Sequence, residues 1–153
     1  MEESLTGSRE WNTAESARWW RELTSNSAGL PPRVLRLLEG IAAANVLSGA
    51  GFRRNAVPPL LYRYFTEMRA CFVSWHTQLR PGEAAVLVVG RNRTGPKGSE
   101  ISIDTPTLLG MIASTVGFDV TDQISLETWP LSGLHAANAV NAEDALVLRR
   151  SND

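Results

Sequence analysis

The chain has 153 residues, 43% of them hydrophobic and 20% charged, an ordinary globular composition with enough length for one domain around a core. A formal net charge of -1 and a pI near 6.1 exclude a global attraction to nucleic acid or to an anionic membrane, so polyanion binding would need a local patch. The single cysteine, Cys71, excludes an intrachain disulfide, and with only His76 and His135 a zinc site built from this chain alone is not expected.

The first fifteen residues are acidic and polar, without a basic start followed by an apolar stretch, and no apolar run approaches the roughly 20 residues of a membrane span. The expected compartment is the cytoplasm. From Trp11 to Leu23 the apolar residues fall at helical spacing, with Asn12 or Thr13 as the cap. A second helix opens on Pro31 and Pro32, carries Val34, Leu35, Leu37, Leu38 and Ile41, and ends near Ser48 to Gly51.

The clearest element begins at Pro58 and Pro59. Leu61, Tyr64, Phe65, Met68, Phe72, Trp75 and Leu79 then recur at steps of three and four, predicting a long amphipathic helix with Cys71 in its apolar pattern. Pro81 and Gly82 stop it. Ala84 to Val89 is an unbroken apolar run, which predicts a central parallel strand covered on both faces. A polar loop from Gly90 to Glu100 follows, then a helix capped by Asp104 or Thr105 that ends at Gly117. Two more strands are expected, around Gln123 to Trp129 and Ala145 to Arg149, with Pro130 to Glu143 as the loop between them. The order points to an α/β fold.

Three strings, in this order, carry a family resemblance: Tyr64-Phe65-Thr66-Glu67-Met68, Leu79-Arg80-Pro81-Gly82-Glu83 and Val86 to Asn92. With the Gly117-Phe118 turn and the closing Glu143 to Arg149, the stretch resembles the C-terminal half of a class I, Rossmann-like, S-adenosyl-L-methionine-dependent DNA methyltransferase of the N4-cytosine/N6-adenine amino type. The resemblance covers residues 57–150 and leaves residues 1–56 as a helical N-terminal segment of the same domain, 1–153.

What the resemblance leaves out matters as much. No F-x-G-x-G loop follows an early strand, so no backbone amides are supplied to the cofactor, and no S/D-P-P-Y string is available to hold an exocyclic amine. Pro58-Pro59 stands between Val57 and Leu60 and does not substitute. The resemblance therefore implies a partial methyltransferase sheet with flanking helices, completed by a partner chain that brings the cofactor site and the catalytic motif. It implies no catalytic and no cofactor-binding residue in this chain, with S-adenosyl-L-methionine bound mainly by the partner. An exposed strand edge would be a liability without such a partner.

In parallel α/β sheets ligands sit beyond the carboxyl ends of the strands, which puts Arg91, Asn92, Arg93 and Lys97 on the expected DNA side, in a glycine-containing loop suited to phosphate contact. Related enzymes stack a residue on the extruded base where this chain has Trp129 and His135. Arg53 and Arg54 form a second small basic cluster, and Trp11, Trp19 and Trp20 are the expected partner interface, or else pack on the long helix. The function expected is a subunit of a split DNA methyltransferase, of the kind found in restriction-modification, inactive alone and working as a hetero-oligomer on DNA. The alternative is a non-catalytic methyltransferase-like scaffolding or regulatory module that binds a protein partner.

Overall fold

The computed structural model describes residues 13–95, 98–126 and 143–152. The elements are α1 (Thr13–Ser25), α2 (Pro32–Leu47), α3 (Phe52–Asn55), α4 (Val57–Gln78), β1 (Ala84–Gly90), β2 (Asn92–Thr94), β3 (Ile101–Ile103), α5 (Thr105–Ser114), β4 (Phe118–Leu126) and β5 (Glu143–Arg150). The fold is mixed α/β: a small sheet with flanking helices.

Three of the helices carry proline in the first turn, where its fixed φ is suited and its missing N–H leaves no bond unmade. Helix α4 turns Tyr62, Phe65 and Phe72 into the core. Tyr62 is buried outright, and its hydroxyl accepts a hydrogen bond from the Ala28 N–H at 3.0 Å, which ties the turn after α1 to the long helix. Leu23, Val34, Leu38 and Ile41 of the first two helices, Leu109 and Ile112 of α5, and Leu146 and Leu148 of β5 share one core with α4. Cys71, expected inside, is only half-buried.

The main sheet has the order β1-β5-β4. Both outer strands run antiparallel to β5, from Ala84 opposite Arg149 to Gly90 opposite Glu143 on one side, and from Phe118 opposite Arg150 to Leu126 opposite Glu143 on the other. This corrects the expected central parallel strand: β1 and β4 do run parallel to each other, but β5 stands between them, and among the described strands β1 is an edge. The expected cover on both faces is also corrected. Leu87 points to the core with Leu146 and Leu148, whereas Val86 and Val88 are 61% and 54% exposed. An apolar run fixes what a strand is able to bury, not whether these residues supply the second layer.

The expected loop from Gly90 to Glu100 contains a hairpin, since β2 pairs with β3 from Asn92 opposite Ile103 to Thr94 opposite Ile101. Strand β4 begins at Phe118, five residues ahead of the predicted Gln123, and a bulge lies between Val120 and Asp122. Among the described residues no helix is long and apolar enough to cross a membrane.

Candidate functional site at the strand ends

Because β1 and β4 run the same way, they finish at the same edge of the sheet, where β5 begins. Asp144, the second residue of β5, sits there between Val89 and Ser125 with no solvent exposure. A buried carboxylate is costly unless its oxygens are hydrogen-bonded. Here Arg91 donates from Nη2 to Asp144 Oδ2 at 2.6 Å, Gln123 donates from Nε2 to the same oxygen at 2.7 Å, and the Ser125 hydroxyl donates to Oδ1 at 3.1 Å.

The Arg91 guanidinium reaches in a second direction, with Nε 3.3 Å from Asp104 Oδ1. Asp104 precedes α5 but makes no side-chain cap, a correction to the expected capping, because its carboxylate faces Arg91 instead. One guanidinium thus fastens the end of β1, the start of β5 and the start of α5. Its geometry suits that task, since a planar fork presents donors in two directions at once.

The hairpin that leaves this junction displays Asn92 and Arg93, both exposed. Of the residues expected on the DNA side, the structure therefore brings Arg91, Asn92 and Arg93 to one edge, with Arg91 engaged by two carboxylates. Lys97, Trp129 and His135 lie outside the described residues, as does Trp11. Arg53 and Arg54 are exposed on α3, remote in sequence from this edge. Trp19 and Trp20 are partly buried against the core; the Trp19 ring lies 6.3 Å from that of Tyr62, with the Arg18 guanidinium 5.4 Å from its centroid.

Sequence reasoning missed Asp144, Gln123 and Ser125. The available signal was an aspartate inside an otherwise apolar strand, which demands a cationic partner without naming it. Among the described residues no group of three or more His, Cys, Asp and Glu side chains is placed to hold a metal ion.

No protein-family model matches this sequence, and neither does any curated protein. Solved structures do match. The chain superposes on a protein of Thermus thermophilus, assigned as a DNA modification methylase and complexed there with S-adenosyl-L-methionine, with a TM-score of 0.51 and 18% identity over 61% of this chain and 40% of that one. The fold is methyltransferase-like. A selenomethionine form of the same methylase gives a TM-score of 0.48 at 19% identity, over 60% of this chain and 38% of that one. The methyltransferase-like chain thus spans about two-fifths of the methylase it resembles.

Proposed function

We propose that this chain is a non-autonomous subunit of a split, S-adenosyl-L-methionine-dependent DNA amino-methyltransferase of the N4-cytosine/N6-adenine type, corresponding to the C-terminal half of such an enzyme and serving in restriction-modification. A second polypeptide supplies the cofactor loop and the catalytic P-P-Y-type motif. The observation that carries this reading is the state of the sheet: a methyltransferase-like fold in which, among the described residues, β1 has one edge unpaired and Val86, Val88, Ile124 and Leu126 leave one face apolar and exposed. Such an edge and face are liabilities in an isolated protein and assets in a half that is completed by another.

The described residues do not themselves fit the cofactor. The polar groups at the strand ends are bonded to one another, and the turn glycine Gly95 offers no open cradle, since a Cβ there would stand 2.9 Å from the Ser99 carbonyl oxygen of its own hairpin. The part left to this chain is binding and positioning. Arg91 holds the hairpin in place, and Asn92, Arg93 and Lys97 meet DNA phosphates. Trp129 and His135 are the residues proposed to pack on the target base, and the N-terminal tryptophans meet the partner.

The test is purification of the native chain from its source, mass spectrometry of what accompanies it, and an S-adenosyl-L-methionine-dependent DNA methylation assay. A stoichiometric partner carrying both motifs, with activity that requires both chains, is the expected result. A monodisperse, partnerless chain overturns the reading, and a single longer polypeptide carrying both halves overturns the split.

A further inference from the structure

The three most exposed large hydrophobic side chains among the described residues are not on the sheet. Leu47 is 88% exposed, Val46 79% and Phe52 63%, and all three lie where α2 passes into α3. A lone exposed leucine needs no explanation, but three such side chains in one corner do. Nor is the corner a loose end. Asn45, only 4% exposed, donates from Nδ2 to the Arg54 carbonyl at 2.7 Å, and Asn55 donates from Nδ2 to the Ala50 carbonyl at 2.8 Å. Gly49, at φ +60, makes the turn between them. The fold thus fixes an apolar tip in water.

The same corner is one-signed in charge. No acidic residue occurs between Glu39 and Glu67, and of the arginines in that interval Arg63 is paired with Glu15 and Glu67 whereas Arg53 and Arg54 stand exposed beside Phe52. Its place in the fold follows from α4. Phe72 and His76, late in that helix, meet Phe118 at the start of β4, and Arg150 at the end of β5 donates to the Leu79 carbonyl. The carboxyl end of α4 is therefore fastened where β1 and β4 begin. At 1.5 Å per residue its amino end, where the corner stands, lies about 33 Å further along the helix.

We propose, resting on the DNA-methyltransferase reading above, that this corner is a wedge-type contact to duplex DNA: Arg53 and Arg54 neutralise backbone phosphates while Leu47 and Phe52 press into a groove. Basic residues flanking an apolar wedge are how several proteins bend a duplex from its minor groove. A stable protein interface engages about 20–30 residues a side, against the three apolar side chains and two arginines displayed here. Anionic-lipid segments carry about four to eight clustered cations, and this corner has two.

The test uses the full chain, with a duplex of about 25 base pairs carrying a fluorophore at each end to report affinity and bending together. Replacing both arginines (Arg53→Gln with Arg54→Gln) should lower the slope of log affinity against log salt by about 1.8. Phe52→Ala with Leu47→Ala should remove the bend and about tenfold of affinity, leaving that slope unchanged. Circular dichroism should match the parent for both pairs. Unchanged slope and bend overturn the contact, as does loss of a protein partner or of anionic-vesicle binding in their place. If the native complex methylates normally with both corner variants, the wedge falls and the split enzyme stands. If the bend depends on the corner but no methyltransferase partner exists, the reverse holds.

Discussion

Arg91 and Asp144 are separated by 53 positions in the chain, yet Nη2 and Oδ2 meet at 2.6 Å, with Asp144 wholly buried and the Arg91 side chain 33% exposed. The carboxylate has no water to fall back on, whereas the guanidinium keeps part of its hydration. Removal of either partner is therefore unequal in effect from removal of both.

Asp144→Ala should lower unfolding stability by about 2–4 kcal/mol, since Gln123, Ser125 and Arg91 all lose their shared acceptor. Arg91→Ala should cost a similar amount by leaving a buried charge short of its cation. The double variant should be better than the sum of the two, by about 1 kcal/mol or more, in a urea double-mutant cycle. Strict additivity would mean that the pair is not coupled.

Gly117 is a second pressure point. Its φ of +100 is unfavourable for any side chain, and a Cβ there would stand 2.8 Å from His76 Nε2. Gly117→Ala should cost about 1–3 kcal/mol in thermal or chemical unfolding. Adding His76→Ala should recover only the part due to the clash, because the backbone angle is unaffected. Full recovery would remove the conformational part of the argument.

Burial of Tyr64, and secondarily the neighbouring Cys71 thiol, raises the Tyr64 pKa above its usual 10.0. The unfolded chain then gives up this proton at lower pH than the folded one, so the unfolded state binds fewer protons in the window between the two values. This contribution to stability is complete below pH 10.0 and is lost as pH rises through the raised value. Tyr64→Phe should flatten the alkaline limb of a stability–pH curve measured from pH 8 to about 11. An unchanged limb would assign it to other groups.

The exposed sheet face offers a test of assembly that spares the fold. Val88 is 54% exposed on β1, so Val88→Lys should change the stability of the chain by about 0.5 kcal/mol or less. It should nevertheless abolish co-purification with a complementary half, because a lysine would be buried there on docking. Undiminished capture would show that the partner leaves this face open.

Periodicity was a sufficient guide wherever an element buries one side within these residues. Helix α4 starts at Val57, beside the predicted Pro58, because its anchors Tyr62, Phe65 and Phe72 all meet the same core. The hairpin was illegible, since Asn92, Arg93 and Thr94 carry no apolar alternation and their pairing depends on Ile101 to Ile103. The early start of β4 was hidden by Asp119 and Asp122 and by the bulge between Val120 and Asp122. The site was half legible for another reason. Arg91 could be singled out as a cation near a strand end, but its direction is set by Asp104 and Asp144, and no local pattern announces a partner so distant in the chain.

Strand β5 comes last of the described strands, yet it lies in the middle of the sheet, hydrogen-bonded to β1 on one side and β4 on the other. During synthesis the helices α1, α2 and α4 have one another to fold against as soon as they emerge from the ribosome. The outer strands do not: β1 and β4 have no neighbour in common until residues 143–150 are made. For that interval the apolar β1 lacks its β5 neighbour, so the described sheet is acquired after the helices and only once residues 143–150 have left the exit tunnel.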